Sequence, residues 1–138
     1  MQNIIQDFLA QKRIAVVGAS RNREKFGNKI YRALKARGYE VYPINPAASQ
    51  IEGDEAYPSL SALPLAMDGV ITITPPEQTE KVAQECVRLG IKQVWMQPGS
   101  ESEEAINFLK EHGISTVHHV CMLMTLAAND NALLEPLK

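Results

Sequence analysis

The sequence predicts an α/β domain built on a parallel sheet, and three observations lead to this class. Short apolar runs alternate along the chain with longer helical patterns. Predicted helices end in glycine shortly before the next apolar run, at Gly38, Gly90 and Gly113. The first apolar run passes into Gly18-Ala19 ahead of a helix, as in a strand-to-helix turn. Regular alternation of this kind predicts parallel strands joined by right-handed helical crossovers.

The N-terminal half is predicted to hold two helices and two strands. Apolar residues spaced three and four apart indicate helix, and short continuous apolar runs indicate strands buried on both faces. In chain order these elements are a helix over 3–11, strand one over 14–17, a helix over 27–37 and strand two over 40–44. The polar stretch 47–64 is predicted as a long loop with one helical turn near 59–63.

The C-terminal half repeats the pattern. Its elements are strand three over 69–74, a helix over 77–89, strand four over 91–96, a helix over 102–112, strand five over 114–120 and a helical segment over 121–128. We therefore expect a Rossmann-like three-layer domain with a five-stranded, mainly parallel sheet in the order 3-2-1-4-5.

Length and composition indicate one domain over residues 1–138. Apolar residues make up 45% of the chain and charged residues 22%, which is ordinary globular composition. The net charge of −2 argues against a general nucleic-acid binder, which is usually basic.

Cysteine usage and hydropathy indicate a cytoplasmic protein. Cys86 and Cys121 lie far apart in sequence, which suggests neither a disulfide framework nor a metal site. No apolar run is long enough to cross a membrane, and the N-terminus does not resemble a signal peptide.

Ligands of open parallel sheets bind at the carboxyl ends of the strands. At these ends the sequence places small, rigid or neutral polar residues, and none of them is an obvious nucleophile or general base. The segments are Gly18-Ala19-Ser20, Asn45-Pro46, Thr74-Pro75-Pro76 and Gln97-Pro98-Gly99.

The glycine turn departs from the dinucleotide fingerprint. G-x-G-x-x-G would place glycine where Ser20 and Arg23 stand, and strand two ends in Asn45 where an NAD enzyme usually has an acid. Positive charges surround the turn instead, at Arg21, Arg23, Lys25, Lys29 and Arg32. We expect a ligand with several phosphates, and both NADP and coenzyme A (CoA) fit at this point.

Motifs spread over most of the chain resemble those of the small stand-alone CoA-binding domain family, whose fold is similar to the N-terminal domain of the succinyl-CoA synthetase α subunit. The matching segments are Ala15–Ser20, Lys25-Phe26-Gly27, Gly38–Pro46, Ile51-Glu52-Gly53, Tyr57–Leu60, Pro75-Pro76, Val94–Gly99 and Cys121-Met122.

The resemblance implies a CoA site across the strand ends. Gly18, Ala19 and Ser20 would cradle phosphate, with Lys25 as a cation and Arg21 and Gly27 in the same loop. Asn45 and Pro46 would border the adenosine. The remaining implied contacts are Thr74, Pro75 and Pro76 along the pantetheine or nucleotide path, and Gln97 and Gly99 on the far side. The phosphorylated histidine of the synthetase belongs to a second domain, so ligase activity does not carry over.

We expect a protein that binds CoA or an acyl-CoA without catalysis of its own. The alternative is an NAD(P)-binding or acyl-CoA-processing protein that acts with a partner supplying catalytic groups. A regulatory protein that senses CoA stays equally open, as does a homodimer or a protein partner; no metal, nucleic acid or membrane is expected.

Two further features lie near strand five. His118 and His119 are expected on opposite faces of the strand, so they would not share a metal. Cys121 is expected to be a small buried residue; facing the pocket, it would be placed to form a mixed disulfide with CoA under oxidation.

Overall fold

The computed structural model describes residues 2–134. Five helices, seven short strands and one 3₁₀ turn follow one another along the chain. They are α1 (Gln2–Leu9), β1 (Arg13–Val17), α2 (Phe26–Ala36), β2 (Glu40–Ile44), β3 (Gln50–Ile51), β4 (Asp54–Glu55), the 3₁₀ turn (Leu60–Ala62), β5 (Gly69–Thr72), α3 (Pro76–Leu89), β6 (Gln93–Met96), α4 (Glu103–Glu111), β7 (Ser115–His118) and α5 (Met122–Leu134).

The main sheet has five strands, all parallel, in the order β2-β1-β5-β6-β7. Helices cover both faces, so the Rossmann-like class expected from the sequence is confirmed. On one face α3 and α4 pack against a core that includes Val70, Val94 and Leu109. On the other face α2 and α5 cover a core that includes Val16 and Trp95. The site therefore rests on a sheet buried from both sides.

The strand order inside the sheet differs from the prediction. Counting only main-sheet strands, the order is 2-1-3-4-5, so strand three (β5) lies beside β1, whereas the predicted 3-2-1-4-5 placed it outside strand two. The physical reason is in β2. Pro43 has no N–H to offer to a further strand, which suits an edge position.

The outer edge of β2 is covered by a short segment. Tyr57 forms an isolated parallel bridge with Ile44, and its N–H donates to the Pro43 carbonyl (3.0 Å). The N–H of Asn45 in turn donates to the Tyr57 carbonyl (2.9 Å). β5 is instead fully buried along its length, as expected for a strand in the interior of the sheet.

Residues 50–55 form a small antiparallel hairpin, β3–β4, where the sequence predicted only loop. Its tip is Glu52-Gly53, and both residues adopt the left-handed conformation. Ile51 buries its side chain against the α2 face of the sheet. The hairpin thereby packs beside α2, and the predicted helical turn near 59–63 is confirmed as the 3₁₀ turn.

Helices and strands otherwise follow the predicted elements to within a few residues. Across residues 2–134, none of the helices combines the length and the apolar character that a membrane crossing requires.

Candidate functional site

Two glycines allow the turn after β1 to pack closely against its neighbours. Gly18 has a φ of +97°, and a Cβ there would lie 2.2 Å from the Ile73 carbonyl oxygen. Gly27, in the first turn of α2, is equally crowded, because a Cβ added there would lie 2.0 Å from the Gly18 carbonyl oxygen. The turn, the start of α2 and the end of β5 therefore pack backbone to backbone, which only glycine allows.

Asn45, at the end of β2, fixes the turn from the other side. Its Nδ2 donates to the Ala19 carbonyl (2.9 Å), and its Oδ1 accepts from the Ala47 N–H (2.7 Å). The Ser20 hydroxyl accepts from the Asn22 N–H (3.0 Å), which shapes the loop that follows. These side chains set the backbone of the turn and also line the space above it.

The N-terminus of α2 opens onto this space without a cap. Lys25 occupies the N-cap position and makes no side-chain capping hydrogen bond, and the first turn of α2 carries no acidic residue. The N–H groups that begin a helix have no partners inside it. The N–H groups of Phe26 and Gly27 therefore lie at the start of α2 beside the cavity. Lys25, which also lines the cavity, places its ammonium group near them.

A cavity of about 740 Å³ lies above the carboxyl ends of β1, β2 and β5. One wall is polar and contains the glycine turn and the start of α2. The opposite wall comes from the 3₁₀ turn, the end of β5 and one face of α3, and it mixes apolar residues with the polar side chains of Gln78, Lys81 and Glu85. Its lining comprises Val17, Gly18, Ala19, Ser20, Glu24, Lys25, Phe26, Gly27, Ile44, Asn45, Pro46, Pro58, Ser59, Leu60, Ile73, Thr74, Pro75, Gln78, Lys81, Val82 and Glu85.

Most of the predicted site residues meet at this cavity. They are Gly18, Ala19, Ser20, Lys25, Gly27, Asn45, Pro46, Thr74 and Pro75. Arg21 lies in an adjoining, more open cavity of about 590 Å³, which shares Ser20 and Asn45 with the first. The structure thus brings the ends of three strands together around one space.

Pro76, Gln97 and Gly99 are not among the residues that line it. Pro76 is the first residue of α3. Gln97 is buried below the start of α5, where its Nε2 donates to the Cys121 Sγ (3.1 Å) and its Oε1 accepts from the Met122 N–H (2.9 Å). The strand order explains the difference. Gln97 and Gly99 follow β6, which the predicted order placed next to β1 but which β5 separates from it.

The apolar residues of the opposite wall were missed from the sequence for the same reason. Pro58, Leu60 and Val82 reach the cavity because β5 lies beside β1 and carries α3 with it. Phe26 was also missed, although it follows Lys25 directly; its ring is 54% exposed at the cavity. The signal that the sequence offered was the position of Phe26 between Lys25 and Gly27.

The basic residues of the loop divide into paired and unpaired groups. Arg23 forms an ion pair with the hairpin, its Nε lying 3.3 Å from Glu52 Oε2. Arg32 donates to the Asn28 Oδ1 (2.6 Å) and to the Arg23 carbonyl (3.2 Å). Within residues 2–134, Arg21 and Lys25 form no ion pair, and both line cavities.

Asn28 joins the hairpin to the turn. It is fully buried, and its Nδ2 donates both to the Ser20 carbonyl (2.9 Å) and to Glu52 Oε2 (3.0 Å). The hydrogen bond from Asn28 holds the pKa of the Glu52 carboxyl below its usual value, with Arg23 adding to the effect. Farther along α2, Tyr31 and Lys35 both bond to Asp54 of the hairpin.

Three reactive side chains at or near the cavity, Glu85, Cys86 and Thr74, are hydrogen-bonded or buried. Glu85 accepts from the Ser61 N–H (3.0 Å) and hydroxyl (2.6 Å). Burial raises the pKa of the Cys86 thiol to about 12, with the neighbouring Glu85 charge adding to it. The Thr74 hydroxyl is hydrogen-bonded to that of Thr79 (2.7 Å).

His118 and His119 do not lie on opposite faces, and that prediction is wrong. His119 has a φ of +63°, so the strand ends there and the two rings meet, with their Nδ1 atoms 2.7 Å apart. Burial and the neighbouring His119 lower the pKa of His118. Within the described chain, no group of three or more metal-ligating side chains was found.

A parallel sheet with a glycine turn, an uncapped helix N-terminus and a cavity at its strand ends defines a Rossmann-like α/β domain with a candidate ligand site. Comparison with protein families makes this specific: residues 12–127 match the family described as CoA binding domain. The chain belongs to this family, as its motifs indicated.

Relatives fall into two groups. An uncharacterized protein of Bacillus subtilis, YneT, is 33% identical over 111 residues, which cover 80% of this chain and 82% of that protein. The α subunit of an ADP-forming acetate–CoA ligase of Pyrococcus furiosus is 28% identical over 137 residues, covering 91% of this chain but only 30% of the subunit. This chain thus corresponds to part of the ligase subunit and to most of the B. subtilis protein.

Solved structures give the same result for the fold. A conserved hypothetical protein of Pyrococcus furiosus is similar with a TM-score of 0.78 at 40% identity, covering 83% of this chain and 98% of that one.

Proposed function

We propose that this protein binds CoA or an acyl-CoA in the cavity above β1, β2 and β5, and holds the ligand without transforming it. The observation that carries the proposal is the uncapped N-terminus of α2, which opens with Lys25 onto the cavity. Unpaired N–H donors, the helix dipole and an ammonium group together favour a phosphate-bearing ligand.

The size and character of the cavity suit the rest of the molecule. CoA joins a pyrophosphate to an adenosine at one end and an amide-containing pantetheine arm at the other. The polar wall fits the pyrophosphate, and the apolar residues of the opposite wall fit the uncharged parts; they are Pro58, Leu60, Ile73 and Val82. Membership of the CoA-binding family supports the same ligand over NAD, as does Asn45 at the end of β2.

Holding without catalysis is proposed because the candidate reactive side chains Glu85, Cys86 and Cys121 are hydrogen-bonded, buried or outside the cavity lining. Glu85 binds Ser61, Cys86 is a buried thiol, and Cys121 lies beside Gln97, outside the cavity lining. We place the protein in the cytoplasm, since both cysteines are free thiols in the structure. The ligase relatives make a protein partner for this domain part of the proposal.

Thermal unfolding with a panel of ligands tests the proposal. CoA, acetyl-CoA, NAD, NADP and ATP would each be added to the purified protein at the same concentration. A ligand present at 100 times its Kd should stabilise the native state by about 2.7 kcal/mol. We expect CoA or acetyl-CoA to raise the Tm most. A Tm raised by NADP and unchanged by CoA would overturn the proposal in favour of the NADP alternative.

A further inference from the structure

The β3–β4 hairpin reaches the glycine turn through one side chain, that of Asn28. This residue lies in the first turn of α2, is fully buried, and lines neither of the two adjoining cavities. Its Nδ2 donates to the Ser20 carbonyl of the turn (2.9 Å) and to the Glu52 carboxylate of the hairpin (3.0 Å). Its Oδ1 accepts from Arg32 Nε (2.6 Å). Both N–H donors of the amide and its oxygen are therefore engaged, and one buried group ties the turn to the hairpin.

The tip of the hairpin is shaped for this contact. Glu52 has a φ of +52°, a left-handed conformation that is uncommon for a residue other than glycine. Such a conformation persists where surrounding contacts determine it, and Glu52 Oε2 accepts from Asn28 and pairs with Arg23. Residues 50–55 line neither of the two cavities themselves. An effect of the hairpin on a ligand would therefore pass through the side chains that Glu52 contacts.

Ser20 is the point at which this linkage meets the site. A peptide group is planar, so the bond from Asn28 to the Ser20 carbonyl also sets the direction of the N–H of the next residue. Asn45 lines the cavity and can meet a ligand directly, whereas Asn28 acts only from behind the turn. Without this donor the half-buried Ser20 carbonyl would be left unpaired, which favours a different orientation of the peptide.

We propose that Asn28 is a positioning residue of the binding site and couples the hairpin to the ligand, because the hairpin docked on Asn28 holds the turn after β1 in its binding shape. The inference rests on the proposed CoA site and adds a point of control to it, since displacing the hairpin would release the turn. Coupling of this kind is reciprocal. A ligand bound at the turn tightens the hairpin by the same factor by which the docked hairpin raises the affinity.

Calorimetric titration of CoA into variants at Asn28 tests the coupling. Asn28→Asp keeps the size of the side chain but removes the donor to Ser20 and sets a second carboxylate against Glu52. Adding Glu52→Gln removes that repulsion and returns a donor to the hairpin contact, while the Ser20 carbonyl stays unpaired. The double variant should recover most of the Tm lost in Asn28→Asp. It should still bind CoA about tenfold more weakly than wild type, the value of one hydrogen bond to a buried carbonyl.

Tyr31→Phe is the matched control. It removes the hydroxyl that bonds the same helix to Asp54 of the same hairpin, and it leaves Asn28 and the turn unchanged. We expect a lower Tm with wild-type affinity for CoA. Equal weakening of CoA by Tyr31→Phe and by the double variant would show that affinity follows the stability of the hairpin in general, and would refute the role of Asn28.

Amide hydrogen exchange gives a second readout, which in wild-type protein needs no substitution. CoA should slow exchange about tenfold at the Ala56 N–H, which bonds to the Ser49 carbonyl at the open end of the hairpin (2.9 Å). Exchange of the Gly113 N–H, at the end of α4, should stay unchanged. The slowing at Ala56 should disappear in the double variant.

The possible failures separate the coupling from the CoA site. If CoA binds wild-type protein and the double variant equally, or leaves exchange at Ala56 unaffected, the coupling is refuted and the CoA site stands. If wild-type protein does not bind CoA, the proposed function fails and the coupling with it.

Discussion

Two helices of this domain begin in opposite ways. At α4, Ser102 caps the helix by accepting from the Ala105 N–H (3.2 Å), and Glu103 and Glu104 place negative charge in the first turn. At α2, the N-cap is Lys25, without a capping bond or any acid in the first turn. The start of α4 satisfies one of its N–H donors and complements its own dipole with two carboxylates, whereas the start of α2 has neither a side-chain cap nor an acid.

The difference shows how a binding site can be recognised from local rules alone. A natural sequence that caps one helix and leaves another uncapped, against a cavity, departs from the rule that stabilises helices. The departure coincides with the glycine turn and with the end of β2, so it marks the place where a ligand would supply the missing partner. Four predictions test this comparison, beginning with the largest expected effect.

The largest effect is expected from a side chain at Gly27, where the start of α2 packs closely against the glycine turn. Gly27→Ala would push a methyl group into the Gly18 carbonyl oxygen. We expect the free energy of unfolding to fall by about 3 kcal/mol, as for other overpacked core positions, and CoA binding to be lost. Urea denaturation measures the first effect and calorimetry the second.

Gly38→Ala is the control for this change. Gly38 has a φ of +90° and no atom within 4 Å of an added Cβ, so alanine there costs only backbone strain of about 1 kcal/mol. Equal losses at the two positions would show that the close contact at Gly27 has no special importance.

The comparison can be reversed by making α2 begin as α4 does. Lys25→Asp would supply a capping carboxylate and remove the ammonium. We expect the ligand-free protein to gain about 0.5–1 kcal/mol of stability, while CoA binds at least about 30-fold more weakly. Lys29→Asp makes the same charge change in the first turn outside the cavity lining and should weaken CoA far less. Unchanged CoA affinity in Lys25→Asp would contradict the site.

Removing the cap of α4 gives the complementary result. Ser102→Ala should lower the free energy of unfolding by about 1 kcal/mol. CoA affinity should stay within experimental error, because α4 follows β6 and takes no part in the cavity. A change in affinity as large as that of Lys25→Asp would mean that the two helix starts are not distinct in function.

The smallest effect concerns pH. Asn28 holds the pKa of Glu52 below its ordinary value of 4.5. A carboxyl whose pKa is lowered by folding stabilises the native state above its ordinary pKa, and this contribution disappears as the pH falls through the lower, folded value. Wild-type protein should therefore lose its advantage over Glu52→Gln on acidification below pH 4.5. A stability difference between the two proteins that is constant from pH 7 to pH 3 would exclude this role.

The sequence alone predicted the elements and the class of fold well, because periodicity and glycine stops are local signals. It placed the third strand wrongly, since neither periodicity nor length specifies which edge a returning strand joins. Pro43 was the signal that β2 is an edge strand. The observed order places α3 at the cavity and leaves Gln97 and Gly99 outside its lining.

The sequence also failed to show which charges of the site are paired. The sequence presents Arg21, Arg23 and Lys25 as one basic loop. Their separation depends on Glu52, which reaches Arg23 from a hairpin that has no strong local signature. Pairing between distant segments of this kind is a tertiary contact, and composition or spacing does not reveal it.

The strand order has a consequence for how the chain is made. β1 lies between β2 and β5, so one of its edges is unpaired until residues 69–72 have been synthesised. A nascent chain that ends before that point presents a buried-type apolar strand with an open edge, which is a template for aggregation. The cavity cannot form until β5 is inserted, because its lining includes Ile73, Thr74 and Pro75, which follow that strand.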